Sequence, residues 1–402
     1  MTENSSLSLP ASYIRGGTSK GVFFALDELP SFAMKSGEAR DALLLRVIGS
    51  PDPYGKHTDG MGGATSSTSK VVIISPSERA DCDLNYLFGQ VAIDQPKIDW
   101  SGNCGNLSAA VAGFGISKGM LEPGKIPSSG ICEVRIWQEN ISKVIIAKVP
   151  IFNHSVQEDG DFELDGVAFP AAEILLDFVD PGDDSEGSVF PTGSVRDMLE
   201  VPGHGEYLVT LISSGIPTVF LRAEDLGYSG TELQDHINSD TKALEKFESI
   251  RRKASIAMGL VSDENAAAEL EHTPKIAMVS APKDHVSSSG KRIGKQEVDI
   301  MVRALSMGKL HHAMMGTAAV AIGSAAAIPG TVVSECLVGG EKAQLTFGHP
   351  SGTLKVGAEA EHSEAGWTVK KVSMSRSARL IMEGKVKVPR AQFSNLLDSA
   401  NR

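Results

Sequence analysis

Hydrophobic and polar positions follow two different periods along the chain, which predicts a mixture of strands and helices. Residues 131–150 alternate apolar and polar on both sides of Glu139-Asn140, a pattern typical of a hairpin of half-buried strands. The apolar run 71–74 predicts another strand, whereas residues 37–49 and 231–258 have the spacing of amphipathic helices. The pattern as a whole predicts an α+β fold.

Two stretches of small residues predict helices at the centre of this fold. The first follows the polar turn 101–106, with apolar residues at helical spacing from Leu107 to Phe114 and with Asn106 as its expected N-cap. The second is residues 311–327, which also follows a polar glycine turn. Because small side chains let other backbone approach closely, we expect each helix to be enclosed by sheet, in two similar lobes with a cleft between them.

A passage rich in acidic residues, glycine and proline, residues 177–195, has no periodicity and predicts the boundary between the lobes. Residues 379–384 resemble a last strand. The expected parts are, in order, an N-terminal lobe 1–185 carrying Lys70 and Cys104, a C-terminal lobe 186–375 with the central helix 311–327, and a segment 376–402 that returns to the first lobe.

Composition and charge indicate a globular protein and argue against a nucleic-acid-binding or membrane protein. The 402 residues are 41% hydrophobic and 22% charged, as in a soluble globular protein large enough for two or three domains. A formal net charge of −12 argues against a general nucleic-acid binder, which needs clustered Lys and Arg. We see no signal peptide in residues 1–12, and the apolar run 318–328 is too short to span a bilayer. We therefore expect a cytoplasmic protein with no membrane partner.

Cysteine and histidine spacing gives no metal site. The four cysteines are scattered without CxxC or CxxxC spacing, which suits a reducing compartment and offers no zinc framework. His311 and His312 are adjacent, so on a helix they would point about 100° apart, and no carboxylate or cysteine follows them at ligand spacing.

Two residues are candidates for acid/base chemistry. Cys104 lies just ahead of a predicted helix N-terminus, where peptide dipoles favour a thiolate; the alternative is a small buried residue beside a turn. Lys70 lies at the start of the apolar strand 71–74, where desolvation would lower its pKa towards that of a useful base. The alternative for Lys70 is an ordinary solvated lysine at a strand end.

Three polar loops are candidates for binding anions. Residues 15–21 place a guanidinium, hydroxyls and backbone N–H groups in one short loop, which suits a carboxylate or phosphate but is also compatible with a plain hairpin turn. The Gly/Ser/Thr-rich loop 59–70 lacks the GxxxxGK[ST] sequence and the strand-loop-helix order of a P-loop. A third polar glycine turn occupies residues 348–352.

Several of these segments together resemble the PrpF family. They are RGGTSKGVFF (15–24), DGMGGATSSTSK (59–70), SGNCGN (101–106), GKLHHAMMGT (308–317) and GHPSG (348–352), matched in register from about residue 12 to residue 384. The resemblance implies the diaminopimelate-epimerase-like fold, with two pseudo-symmetric lobes, each a curled mixed sheet around a central helix. It also implies that no cofactor and no metal is needed.

Roles for individual residues follow from the same resemblance. It implies that Lys70 and Cys104 are the acid/base residues and that the polar loops bind carboxylates. Epimerases of this fold use two cysteines, but Met315 stands where the second would be, so inversion by a thiol pair is not expected. The expected substrate-binding residues are Arg15, Gly16, Thr18, Ser19, Ser66, Thr68, Ser69, Asn103, Gly105, Asn106, Ser306, Met307, Gly308, Met315, Gly316, Thr317, Gly348, His349, Pro350, Ser351 and Gly352.

The resemblance implies a cofactor-independent isomerase of unsaturated tricarboxylates. We expect a 2-methylaconitate cis-trans isomerase of the methylcitrate cycle in propionate catabolism. Activity on trans-aconitate is also expected, since a pocket distinguishes one methyl group by only about 1–3 kcal/mol. The alternatives are a 4-oxalomesaconate tautomerase, a dedicated aconitate isomerase, or a catalytically silent carboxylate-binding protein. Paired lobes often dimerise, so a homodimer is a further expectation, although the sequence does not determine the oligomeric state.

Overall fold

The computed structural model describes residues 5–122, 124–182 and 188–400. The predicted lobe boundary between residues 185 and 186 lies outside the described residues. The first-half strands are β1 (Ser6–Gly16), β2 (Ser19–Ala25), β3 (Lys70–Pro76), β4 (Leu84–Val91), β5 (Ile98–Asp99), β6 (Ser129–Gln138), β7 (Lys143–Phe152), β8 (Ser155–Val156) and β9 (Ile174–Val179). Those that follow are β10 (Asp197–Val201), β11 (Gly205–Ser214), β12 (Ile216–Arg222), β13 (Lys275–Ser280), β14 (His285–Val286), β15 (Arg292–Ile293), β16 (Ile300–Ser306), β17 (Lys309–Leu310), β18 (Gln344–His349), β19 (Gly352–Ser363), β20 (Gly366–Arg376) and β21 (Ala378–Pro389).

The helices contain fewer residues in total than the strands. They are α1 (Ser31–Met34), α2 (Glu38–Ile48), α3 (Ser108–Ser117), α4 (Gln234–Asn238), α5 (Thr241–Ala257), α6 (Glu264–Glu269), α7 (Gly316–Ala326), α8 (Val332–Cys336) and α9 (Ser394–Ala400). Within the described part of the chain, none of them is long and apolar enough to cross a membrane.

Almost all strands join one continuous mixed sheet. Neighbouring strands follow the order β21-β1-β2-β3-β4-β6-β7-β9-β20-β19-β18-β16-β13-β12-β11-β10. The pairs β2/β3, β4/β6, β12/β13 and β16/β18 are parallel, and the other pairs in this order are antiparallel. Pairing of β9 with β20 joins the first half of the sheet to the second. The fold is therefore α+β, as predicted.

Each half of the sheet curls around one helix made of small residues. Helix α3 contacts β1, β3, β4, β6, β7 and β9, and helix α7 contacts β11, β12, β18, β19 and β20. Every residue of α7 is buried, which requires small side chains because strands approach it from several sides. The outer faces of the sheet are covered as well, by α1 and α2 near β3 and by α5 near β13.

Several predicted elements are confirmed, and three need correction. The hairpin at 131–150 and the helix at 37–49 correspond to β6/β7 and α2. The predicted single helix 231–258 is two helices, because the carboxylate of Asp240 caps a new N-terminus by accepting a hydrogen bond from the Ala243 backbone N–H.

The two central helices both begin later than predicted. Helix α7 starts at Gly316 rather than at residue 311, and Met315 before it has extended backbone. Helix α3 starts at Ser108, and Asn106 does not cap it, because the Asn106 side chain bonds to other parts of the chain.

Candidate active site

The N-termini of the two central helices meet. A Cβ atom added to Gly105 would lie 2.7 Å from the carbonyl carbon of Gly316, and one added to Gly316 would lie 2.5 Å from the carbonyl carbon of Gly105. Only glycine allows backbone to approach this closely. Since the first N–H groups of a helix have no partner within it, the contact concentrates free donors and positive dipole ends at one place.

A small cavity of about 20 Å³ lies at this meeting point. It opens into a wider cleft of about 850 Å³, which shares Ser66, Gln90, His272, Ser306 and His311 with it and also includes Met307. The cavity is lined by Ser19, Ser66, Lys70, Gln90, Asn103, Cys104, Gly105, Asn106, His272, Lys275, Ser306, His311, Met315, Gly316 and Thr317. Lys70 and Cys104 are thus together with predicted residues from both halves of the chain.

Lys70 is the first residue of β3 and is only 6% exposed. Its Nζ donates to Gln90 Oε1 at 2.6 Å, and the Gln90 amide is oriented by donating to the Ser69 carbonyl at 3.0 Å. Burial lowers the pKa of Lys70, and the thiol of Cys104 partly opposes that shift through charge and hydrogen bonding. Lys70 is therefore desolvated and lines the same cavity as the Cys104 thiol, as a proton carrier requires.

Cys104 lies in the turn before α3, with 8% of its surface exposed. Its carbonyl oxygen accepts hydrogen bonds from the Tyr86 hydroxyl at 3.2 Å and from the Ser108 backbone N–H and hydroxyl at 3.0 and 3.1 Å. Burial raises the pKa of Tyr86 well above its ordinary value, so this hydroxyl is a permanent donor. These bonds fix the turn that carries the thiol.

A second buried lysine, Lys275, faces the same cavity. It begins β13 as Lys70 begins β3, and its Nζ lies 3.1 Å from Ser306 Oγ and 3.2 Å from His272 Nδ1. Burial, followed by the charge of Lys70, lowers the pKa of Lys275 to about 7. Sequence reasoning missed this residue, although KIAMVS at 275–280 repeats the strand-start pattern of KVVIIS at 70–75.

Two side chains in the cavity have polar atoms without partners. Both amide atoms of Asn103 and the Nε2 atom of His272 are buried and make no hydrogen bond. Burial lowers the pKa of His272 well below its ordinary value, with Lys275 adding to the shift, so the ring is neutral. Since buried polar groups are normally satisfied, the amide of Asn103 is available in this cavity to bind a ligand.

The side-chain amide of Asn106, in contrast, has hydrogen-bond partners within the protein for both its nitrogen and its oxygen. Its Nδ2 donates to Thr18 Oγ1 at 3.1 Å and to the Met314 carbonyl at 3.2 Å, and its Oδ1 accepts from Arg376 Nε at 3.0 Å. Both amide hydrogens are committed, so Asn106 faces the cavity as a structural link between the two helix N-termini. Arg376 is itself buried, and burial lowers its pKa to about 10.

Other predicted binding residues lie outside the cavity. Arg15, Thr18 and Thr68 line a separate cleft of about 640 Å³, which shares only Ser19 with the cavity lining. Ser69 is buried with its hydroxyl 3.3 Å from His57 Nδ1. A Cβ atom on Gly16 would lie 2.7 Å from the Asn106 carbonyl oxygen, so Gly16 serves packing.

Gly308 and the residues of the 348–352 turn do not line the cavity. Gly308 belongs to the turn between β16 and β17. In the 348–352 turn, the Ser351 hydroxyl donates to the His312 carbonyl at 2.5 Å, and burial lowers the pKa of His349 to about 3. Gly348, Pro350 and Gly352 share this turn and do not line the cavity.

The histidines near the site form no metal-binding group. Among the described residues, no three His, Cys, Asp or Glu side chains lie close enough together to hold a metal ion. The rings of His311 and His312 stack with centroids 4.6 Å apart, and His311 Nδ1 accepts a hydrogen bond from the Ala313 backbone N–H.

Comparisons of the sequence and of the structure with known proteins both find similarity to isomerases. The family model described as PrpF protein matches residues 6–389. A 2-methyl-aconitate isomerase from Shewanella oneidensis is 62% identical over 96% of this chain and 98% of its own length. A 2-methyl-aconitate isomerase from Cupriavidus necator is 61% identical over 98% of this chain and 100% of its own length. The crystal structure of a methylitaconate-delta-isomerase is 35% identical, with a TM-score of 0.76 and 97% of each chain covered.

Proposed function

The chain belongs to the PrpF protein family and is an isomerase, and on that premise we propose that it isomerises 2-methylaconitate and also accepts trans-aconitate. One observation carries the proposal: Lys70, Cys104 and Lys275 converge with the unpartnered amide of Asn103 where two helix N-termini meet. This is a buried, cationic site of the kind that suits carboxylates.

Binding of the substrate draws on both halves of the chain. The cavity of about 20 Å³ has room only for the reacting end of a tricarboxylate, so the rest of the molecule would occupy the adjoining cleft of about 850 Å³. The Lys275 ammonium, the Asn103 amide and the free N–H groups at the helix starts would hold carboxylate oxygens. An anion beside Lys275 would also favour its protonated form.

The proton transfer we propose uses Lys70 and Cys104 as an acid/base pair. One of them removes a proton from the carbon next to a carboxylate, and the electron pair of the broken C–H bond spreads over the double bond and that carboxylate. The other returns a proton to an allylic carbon, or to the same carbon after rotation, so that no atom is gained or lost. Donors at the helix N-termini stabilise the delocalised negative charge.

Proton NMR in D₂O tests the function and the assignment together. The protein is incubated with 2-methylaconitate and with trans-aconitate, alongside the variant Cys104→Ser and the matched control Cys336→Ser, whose thiol lies outside the cavity. We expect the unmodified protein to exchange the isomers and to introduce deuterium at the allylic carbon. Cys104→Ser should lose this exchange, whereas Cys336→Ser should retain it. Turnover retained in both Cys104→Ser and Lys70→Ala would contradict the assignment.

Other outcomes separate the remaining functions. Isomer exchange without deuterium would indicate bond rotation or a proton shielded from solvent. No reaction on either compound would favour 4-oxalomesaconate as the substrate. Binding of tricarboxylates without any change in their spectra would indicate a silent carboxylate-binding protein.

We also propose a cytoplasmic location and a homodimer. The four cysteines are free thiols in the described structure, as suits a reducing compartment. Cell fractionation tests the location, and sedimentation analysis of the purified protein at several concentrations tests the dimer.

A further inference from the structure

Three positively charged side chains stand in a row across three neighbouring strands. In the antiparallel pairing of β1 with β21, Arg15 is directly opposite Arg379. In the pairing of β1 with β2, Arg15 is directly opposite Lys20. Directly opposed residues of antiparallel strands project from the same face of the sheet, and like charges in such pairs are destabilising. The row therefore opposes folding unless something neutralises it.

No carboxylate of the described protein lies within ion-pair distance of this row, and Glu158 offsets the charge of Arg15 only in part, because burial and the charge of Arg379 still lower the pKa of Arg15. Arg15, Lys20 and Arg379 form no ion pair among the described residues. One guanidinium nitrogen of Arg15 donates to the carbonyls of Gly17 and Ser377, and the Lys20 ammonium lies 5.2 Å from the centre of the Tyr13 ring. These are neutral partners, which orient the cations without cancelling their charge.

All three cations line the cleft of about 640 Å³, which borders the catalytic cavity at Ser19 and the cleft of about 850 Å³ at Ser67 and His312. The hydroxyl-bearing residues Thr18, Ser67 and Thr68 line it too, and the segment Gly166–Ala171 supplies a wall that includes apolar side chains. Two carboxylates, Glu158 and Asp159, are also present, but Glu158 Oε1 accepts a hydrogen bond from the Leu380 backbone N–H. The cleft thus combines excess positive charge with hydroxyl donors and metabolite-sized space.

We propose that this cleft is a second binding site, for a small multivalent oxyanion whose oxygens belong to carboxylate or phosphate groups. The anion would lie over the row Lys20–Arg15–Arg379, with guanidinium and ammonium groups as charge-assisted donors. The site is distinct from the cavity that holds Lys70 and Cys104. The inference does not depend on which reaction that cavity catalyses.

Isothermal titration calorimetry with citrate and with pyrophosphate tests the site and identifies its chemistry. The test variants are the exposed single substitution Arg379→Gln and the double substitution Lys20→Gln/Arg379→Gln. The control is Lys385→Gln, which removes one charge from an exposed position of the same strand. We expect at least one anion to lose tenfold or more in affinity at one site in the double variant, and the control to bind as the unmodified protein does. Citrate binding would identify a carboxylate site, and pyrophosphate binding a phosphate site.

Two further readouts make the result decisive. The double variant should melt at a higher temperature than the unmodified protein at low ionic strength without anion, because the row of like charges is relieved. Turnover at saturating substrate should stay within twofold, since neither substituted residue lines the catalytic cavity. Unchanged affinity for both anions would overturn the proposal. The proposal would also be overturned if the anion binds at one site only and the double variant loses affinity for it by the same factor by which its KM rises. The cations would then belong to the catalytic site.

Discussion

Gly105 and Gly316 are in backbone contact, each at the position where the chain enters a central helix. The contact is reciprocal: a Cβ on either glycine would lie less than 3 Å from backbone atoms of the other segment. It fixes the distance between the two halves of the sheet at the cavity that contains Lys70, Cys104 and Lys275. The catalytic geometry that we propose therefore depends on two residues that have no side chain.

Substitution of Gly316 by Ala should destabilise the protein and reduce its activity. The added methyl group would lie 2.5 Å from the Gly105 carbonyl carbon and would force the helix starts apart, which we expect to cost about 3 kcal/mol. Urea unfolding and turnover on 2-methylaconitate measure the two effects. The control is Gly113→Ala within α3, where an added Cβ would lie 3.9 Å from the nearest atoms. This variant should gain up to about 1 kcal/mol in the free energy of unfolding. Equal behaviour of the two variants would contradict the prediction.

Lys70→Gln should lower kcat by about 10²–10⁴-fold, the usual contribution of a positioned acid/base group. Glutamine keeps a polar side chain near Gln90 but cannot exchange a proton with substrate. Steady-state kinetics with 2-methylaconitate measures the loss. The control Lys370→Gln changes a half-exposed lysine on β20 and should leave kcat unaltered. A Lys70 variant with kcat within threefold of the unmodified protein would remove Lys70 from the mechanism.

The pH dependence of kcat/KM should report Lys275. Its pKa of about 7 means that the ammonium that we propose as a carboxylate anchor loses its charge as the pH rises through 7 in the free protein. We expect kcat/KM to fall towards tenfold per pH unit above that value. In Lys275→Arg, which stays charged, the falling limb should disappear even if the absolute rate is lower. If kcat/KM of Lys275→Arg still falls above pH 7 as in the unmodified protein, the decrease belongs to the titration of another group.

The same lysine should make stability depend on pH. Its pKa is lowered from 10.5 to about 7 on folding, so between these values the unfolded chain binds more protons than the folded one. Stability therefore rises with pH across this window, and below pH 7 the buried charge is fully destabilising. Lys275→Met should raise the melting temperature more at pH 6 than at pH 10, corresponding to a difference of a few kcal/mol. A gain that is equal at both pH values would contradict this account.

Asn106 and Arg376 should show a strong energetic coupling. Removing the Asn106 side chain deprives the buried Arg376 guanidinium of an acceptor at 3.0 Å, and it also removes the bonds to Thr18 and Met314. We expect Asn106→Ala to cost about 2–4 kcal/mol in the free energy of unfolding. A double-mutant cycle with Arg376→Met should give a coupling of about 1 kcal/mol or more. The exposed Asn265→Ala serves as the control, and strictly additive effects would exclude the coupling.

Local patterns in the sequence were sufficient for much of the fold. Strands β3, β6 and β7 and helix α2 each carry their own periodicity, so their positions follow from neighbouring residues alone. The polar turn 101–106 ahead of a small-residue helix likewise marked Cys104, and the strand start marked Lys70. In each of these cases the residues that form the predictive pattern lie within about ten positions of the strand, helix or site residue that they predict.

Partners that are distant in sequence were decided only by the tertiary structure. The Asn106 amide bonds to Arg376, 270 residues away, instead of capping its own helix. Helix α7 begins only at Gly316, where the chain passes the start of α3. Lys275 became a site residue because β13 brings it into the cavity of Lys70, and Arg15 became part of a cationic row through the register of β21.

The sequence by itself determined which segments are strands and helices and which residues carry chemistry, because these properties arise from side-chain type and local spacing. Only the tertiary structure decided which of those residues meet, because strand register and helix contact depend on the packing of the whole chain. Arg15 illustrates the difference: the sequence shows that its loop is rich in groups that could bind an anion, whereas the fold places Arg15 in a cleft other than the cavity of Lys70 and Cys104.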